Sequence, residues 1–468
     1  MNRKHPSESR WRVRSAMATI LLAPCVGLSA QSISSTSTAD GEVHHAVDLT
    51  MPKALELASQ HNRHLQLASL AAKAAAEKQT IARSEYYPHI RNESTALYVT
   101  ALEGVVVPAG AFAHTPATGL VPGQTLTVGQ GQQEVFTSGT GLVQPLTQLL
   151  TVRAGVRAAT ADVNIARLDV KDSEDGVALL VHKLYYGLIT KQLQLAAART
   201  SVRAAQLDEE ESARAVSSGR TLEVIHLQNH AALLSAKQAS LTLELAVTDL
   251  TMQFDDVLGL PIGTDLRLDP DLLGVTPVLP SRESAIKLLR QQNPKVLSAQ
   301  QAVEKAKAGV SGAKDAYIPN ITGLARYSYQ SGVPFLVHNF GTFGGSLSYD
   351  LFDGGAREAK LRAAKIRLQE AELQLVQTEA DLSIQVDALY NEIHKLEDLV
   401  AVASEILEVK REAVRISELR VQQNAALTSE PARAQAEASL AQSALLEDRL
   451  TLRLVQNQVE QILGQRPE

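Results

Sequence analysis

Two histidines three residues apart, His61 and His64, with His44 and His45 upstream, come closest in type and spacing to a metal-binding pattern. No Cys, Met cluster or carboxylate cage accompanies them, so solvated histidines on a helix account for the pattern and no metal is expected. The acidic run Asp208-Glu209-Glu210-Glu211 reads as a solvated helix face, with a contact patch for a partner protein as the alternative. A nucleophile elbow, a phosphate loop, a zinc motif and paired catalytic carboxylates are all missing, so neither an enzyme nor a cofactor is expected.

The elements that must position these residues are helical. One Trp, four Met and seven Phe in 468 residues leave little aromatic material for ordinary cores, and the apolar residues are mainly Ala, Leu and Val, which favour long helices packed by small side chains. A net charge of −6 removes the electrostatic case for nucleic acid. Basic residues Arg3, Lys4, Arg10, Arg12 and Arg14 precede an apolar run from Ala16 to Leu28 and a small-residue site at Leu28-Ser29-Ala30, so residues 1–30 read as an export signal and 31–51 as an extension. The sole cysteine, Cys25, lies in that signal, and cleavage after Ala30 leaves no disulfide. Lipidation at Cys25 is the alternative, against which Pro24 at the scissile position argues. No later segment is apolar enough for a transmembrane helix, so any crossing of a membrane must use strands.

The chain repeats itself. A shift of 231 carries Asn62 to Asn293, Tyr86 to Tyr317, Pro88 to Pro319 and Tyr98 to Tyr329. Further along, a shift of 205 carries Leu142 to Leu347, Tyr185 to Tyr390 and Gly259 to Gly464. The 26-residue difference must be extra chain between about Tyr98 and Leu142, where Gly, Pro, Thr and Val crowd into a long hairpin loop. Repeats over 52–260 and 283–464, joined by a linker at 261–282, each predict helix, strand, loop, strand, very long helix, break and helix.

The first helices are expected over Pro52 to Glu85 and Ser284 to Ala316, closed by Pro88 and Pro319. The long helices are expected over Leu146 to Ser217 and Ala356 to Gln423, ended at Gly219 and Asn424, two residue types suited to the left-handed turn. At about 1.5 Å per residue, roughly 70 residues span about 100 Å. The short helices are about half that, so two stacked end to end would match one long helix. Such a tube would be mostly α with a small β portion.

In Asn320 to Gln330, Ile321, Gly323, Ala325, Tyr327 and Tyr329 alternate with Thr322, Leu324, Arg326, Ser328 and Gln330, as in a barrel wall between lipid and water, with an ordinary amphipathic sheet resting on a core as the alternative for a single strand. A partner strand is expected over about Thr342 to Phe352, so the hairpins occupy about 89–146 and 320–352. Tyr98, Tyr327, Tyr329 and Tyr349 would supply an aromatic girdle. Four strands cannot close a membrane barrel, so several protomers must share one: two would give eight strands with a side-chain-filled interior, and three would give twelve and room for a lumen.

Tyr86-Tyr87-Pro88-His89-Ile90, Tyr317-Ile318-Pro319-Asn320-Ile321 and the return from strand to helix through Leu347-Ser348-Tyr349-Asp350-Leu351-Phe352-Asp353-Gly354-Gly355 resemble the TolC-type outer-membrane efflux protein family. The resemblance covers both repeats. It implies a homotrimer with a twelve-stranded barrel in outer-membrane lipid and a periplasmic α-barrel, docked to a periplasmic adaptor and an inner-membrane transporter. The junction residues are then Pro88, Pro319, Asp353, Gly354 and Gly355, and the periplasmic mouth is formed by Arg214, Gly219, Arg220, Arg420, Asn424, Glu430 and Arg433. The family's glycine turn at the mouth is kept at Gly219 and replaced by Asn424 in the second repeat. Of its acidic gate residues only Glu430 has a counterpart, with Arg433 where a second acid would stand. The alternatives are a periplasmic adaptor, which should carry β-rich domains beside one helical hairpin, and a coiled-coil scaffold, which would leave the strands unexplained.

Overall fold

The computed structural model describes residues 47–465 apart from 118, 130, 270–277, 333–336, 424 and 426. The export signal, Cys25, His44, His45 and Asn424 lie outside the described residues. The first repeat opens with β1 (Val47–Leu49), α1 (Met51–His61), α2 (Arg63–Ser84) and β2 (His89–Tyr98). The long loop comes next, with four short strands, β3 (Val105–Val107), β4 (Ala113–Thr115), β5 (Gly119–Val121) and β6 (Leu126–Val128). Then come β7 (Glu134–Pro145), α3 (Leu149–Ser217) and α4 (Glu223–Leu258). After β8 (Leu266–Leu268), the second repeat runs through α5 (Arg282–Gln292), α6 (Pro294–Asp315), β9 (Asn320–Ser331), β10 (Asn339–Ser348), α7 (Ala356–Gln422) and α8 (Ser429–Ile462). No helix among the described residues is long and apolar enough to cross a membrane.

The expected single first helices are each two. The chain breaks at Asn62 and Asn293, which leave the helical region at ψ 123° and 125° and cap α2 and α6. The Asn62 side chain accepts from the backbone N–H of His64 and Leu65, and Asn293 does the same for Lys295 and Val296. A capping Asn satisfies two of the orphan donors at a helix start, which is why a helix can restart there after one residue. His61 and His64 therefore sit on different helices, and His61 Nδ1 lies 3.1 Å from the carbonyl oxygen of Leu57.

These breaks are also the joints of the end-to-end stack. Gly259 ends α4 at φ +70°, and a Cβ there would sit 2.5 Å from Cβ of His61. Gly464 comes just after α8 at φ +74°, and its Cβ would lie 2.4 Å from the Gln292 carbonyl oxygen. Glycine is required at both places twice over, by the left-handed backbone and by the space. Asn293 also donates to the Ile462 carbonyl at 2.8 Å. Along its first half α3 touches α2 and α6, through Gln79 to Thr160 and Asn164 to Gln301. Along its second half it touches α4 and α8, through Arg199 to Glu244 and Gln194 to Glu447.

The two larger cores lie at the height of these joints. One gathers Leu49, Tyr185, Leu188, Phe254 and Leu258, and the other Ala285, Leu289, Val386, Val459 and Leu463. Tyr185 donates its hydroxyl to the Leu49 carbonyl at 2.8 Å, and its repeat partner Tyr390 donates to Pro280 at 2.6 Å. Each phenol thus ties the chain entering its repeat to a long helix.

The four long strands form one antiparallel sheet in the order β10-β9-β7-β2. The alternation expected for β9 is the one observed, because Ile321 pairs with Leu347, and Tyr327 with Thr140. The last strand starts earlier than expected, at Asn339, and ends at Ser348. Tyr349 to Phe352 have left the sheet, with Leu351 and Phe352 about nine-tenths exposed.

Candidate functional site

At the end of the long helices away from the sheet, two helical hairpins meet. The first is α3 turning into α4 at Gly219, whose φ of +68° is the left-handed turn expected. The N–H of Gly219 reaches the Val216 carbonyl and that of Arg220 the Ala215 carbonyl, both at 2.9 Å, so the last helical carbonyls are satisfied. A Cβ at Gly219 would touch nothing within 4 Å, so the demand there is on backbone conformation alone. The second hairpin is α7 turning into α8, with the Ala425 N–H bonded to the Arg420 carbonyl. Its tip is held by an ion pair between Arg420 and Glu430. Pro431 is the third residue of α8, where no intrahelical donor is lost.

The acidic run joins the hairpins and is not the solvated face expected of it. Asp208 receives the Arg433 guanidinium at 2.6 Å, and this contact raises the arginine pKa further. Glu211 accepts three hydrogen bonds from the start of α8, from Thr428 Oγ1 at 2.7 Å, the Ser429 N–H at 3.1 Å and Ser429 Oγ at 2.6 Å. Burial alone would raise the Glu211 carboxyl, but the bonds from Ser429 and Thr428 outweigh it and hold the group below its ordinary range. Thr428 makes no cap bond of its own, so α8 is capped by a carboxylate from another helix, favourably placed for the helix dipole. Glu209 instead faces His226 and His230 of α4, at 3.8 and 3.7 Å. The Glu210 carboxylate meets Gln206 of its own helix, and its backbone carbonyl accepts from Arg214 Nε at 3.2 Å.

The expected mouth residues therefore divide. Arg420 with Glu430, and Arg433 with Asp208, are paired within one protomer. Arg214 and Arg220 line a cleft of about 610 Å³ between the hairpins, together with Asp208, Glu211, Ile225 and Arg433. Glu211 does not stand out in the sequence because its partners lie 217 and 218 positions away. The signal present is the spacing of Asp208 and Glu211 by three, which puts both on one helix face.

At the opposite end, Asp353 organises the passage from strand to helix. Its carboxylate accepts from the Gly355 N–H at 3.0 Å, the Arg357 N–H at 3.0 Å and Arg357 Nε at 2.9 Å. The Arg357 bonds, backbone first, hold it below its ordinary value. Gly354 and Gly355 take φ of +66° and +84°, and the reversal needs both. Arg357 lies over the Tyr349 ring at 4.8 Å and the Tyr317 ring at 5.9 Å, a cation–π clamp that sequence reading missed. Past Pro319, the Ile321 N–H donates to Thr147 Oγ1 at 2.9 Å, which ties the two junctions together. Among the described residues no group of three or more His, Cys, Asp or Glu side chains is placed to hold a metal ion.

This architecture defines a class. The Campylobacter jejuni CmeC outer membrane channel superposes with a TM-score of 0.73 at 15% identity, covering 88% of this chain and 85% of that one. The open state of the Neisseria gonorrhoeae MtrE outer membrane channel gives 0.71 at 18%, covering 89% of each chain. The outer membrane protein VceC from Vibrio cholerae gives 0.67 at 17%, covering 89% and 97%. The fold is that of outer-membrane channels. The family model described as outer membrane efflux protein matches residues 285–465, within the second repeat, in line with the resemblance seen at the junction motifs. No curated protein matches the chain in sequence. The family and the structural neighbours together indicate an outer membrane efflux channel.

Proposed function

We propose that this chain is one protomer of a homotrimeric duct that carries small molecules or proteins across the outer membrane. It receives them from a periplasmic adaptor and an inner-membrane transporter. The observation that supports this best is the four-stranded sheet, whose outer strands β2 and β10 pair on one side only among the described residues. Unpaired strand edges are not tolerated in lipid, and four strands are half the smallest membrane barrel, about eight. Three copies supply twelve strands, edge to edge, around a lumen wide enough for cargo. Below the membrane, α3 and α7 of each copy, 69 and 67 residues long, continue the wall as a tunnel of about 100 Å.

The hairpin tips at Gly219 and Asn424, with Arg214, Arg220, Arg420, Glu430 and Arg433, form the periplasmic mouth and the adaptor contact in this reading. Energy for transport comes from the partner in this reading. The test is the mass of the protein extracted from outer membranes in mild detergent. A trimer is expected, and a folded, membrane-inserted monomer would refute the architecture.

A further inference from the structure

Apart from Glu134 at the first position of β7, which shares the opposite face with Tyr98, the charges of the sheet lie on one face. Antiparallel partners share a face, so Arg91, Gly141, Arg326 and Thr342 form one row, and Glu93, Gly139, Ser328 and Phe340 the next row on the same face. The other face carries Ile90, Leu142, Ala325 and Phe343 in one row and Ile321 with Leu347 in another. Its Asn92, Ser94, Ser138 and Thr140 bond to one another. Arg91, Glu93 and Arg326 are the only Arg, Lys, Asp or Glu in the four strands apart from Glu134, the first residue of β7. A charge in mid-strand facing lipid is strongly disfavoured, so the face that collects all three is the water side.

They also form a unit. Glu93 lies 3.6 Å from Arg91 and 4.0 Å from Arg326, which must reach across β7 to meet it. Two glycines open that path. A Cβ at Gly139 would stand 2.5 Å from Nε and Nη2 of Arg326, and one at Gly141 would stand 4.0 Å from its Cγ. Two guanidinium groups and one carboxylate leave one positive charge per protomer, in a chain whose net charge is −6.

We propose that Arg91, Glu93 and Arg326 form a net-positive collar on the inner wall of the barrel, which makes this stretch of the pore favour anionic over cationic solutes. The proposal rests on the channel reading above. Repeated around the axis, the collar sets a positive potential where solutes must pass, and low-dielectric walls focus it. The turns at the far end are a separate set of charges, unchanged by any substitution at the collar.

The test is the zero-current potential of the purified full-length protein in planar bilayers under a KCl gradient. Arg326→Gln should shift the potassium-to-chloride permeability ratio toward potassium, Glu93→Gln should shift it toward chloride, and Arg326→Lys should leave it as in the parent. In Arg326→Cys, a cationic thiosulfonate added to the water phase should return the ratio toward the parent value, which requires a side chain inside the lumen. Channels that form normally but keep the parent ratio in both Gln variants, or a cysteine that the reagent does not reach, would overturn the collar. Absence of channels from the parent protein would instead overturn the reading on which it rests.

Discussion

Replacing Glu211 by alanine removes the one side chain that caps α8 from α3, and the effect should appear as a looser mouth. Hydrogen bonds to a charged acceptor contribute about 1.5–3 kcal/mol each when water is excluded. At this half-exposed site solvent competes for each donor, so the three bonds together are worth about 2 kcal/mol. That corresponds to about a 30-fold change in the ratio of clasped to separated hairpins. The Asp208 to Arg433 contact remains and adds about 0–1 kcal/mol. Glu211→Ala should therefore raise single-channel open probability or conductance and sensitise cells to large antibiotics, with trimer yield unchanged. Glu210→Ala, one position along the same helix, is the matched control and should be silent, because its carboxylate bonds to Gln206 of the same helix and the bond from Arg214 goes to its backbone carbonyl, which alanine keeps. The pH dependence has a definite sign. The folded-state pKa of Glu211 is depressed, so its contribution is fully present above the ordinary carboxylate range and is lost only as pH falls through the lowered value. The clasp should hold at neutral and mildly acidic pH and fail in strong acid. Identical conductance in Glu211→Ala and Glu210→Ala, at equal protein levels, would refute the assignment of this contact to the mouth.

Gly464→Ala should destabilise the joint between α8 and α5 by about 1–2 kcal/mol for the left-handed backbone alone, and by more for the clash with the Gln292 carbonyl. Thermal unfolding of the solubilised protein reads that loss, and Gly219→Ala, with open space around it, should show only the backbone part. An epitope inserted in the loop between β2 and β7 should be labelled on intact cells, since the mouth occupies the other end. Labelling only after the outer membrane is opened would reverse the assigned ends.

Much of this was legible because the two repeats check each other. Pro88 with Pro319, and Gly259 with Gly464, mark the same boundary twice, and the alternation in Asn320 to Gln330 is long enough to fix which residues share a face. The breaks at Asn62 and Asn293 were not read, although both asparagines are matched in the repeat. A helix that stops and restarts after one residue leaves the apolar period almost undisturbed, and only the cap and Pro294 betray it. The last strand was placed too far along because Leu347, Tyr349 and Leu351 continue the alternation past the point where Asp353 and Arg357 pull the chain out of the sheet. The acidic run was misread for another reason: charges on one helix face look alike whether they meet water or a helix more than 200 positions away.

The outer edges of β2 and β10, unpaired among the described residues, carry a genetic consequence for the proposed assembly. A wall that no single copy can complete is only as sound as its worst stave, so a variant that folds and joins but blocks the passage spoils every assembly it enters. In the proposed trimer, equal co-expression of parent and blocked chains leaves about one duct in eight wholly parental. Loss of transport should then far exceed the half expected of independent monomers, and such alleles should be dominant, whereas a variant too damaged to join the ring should be recessive.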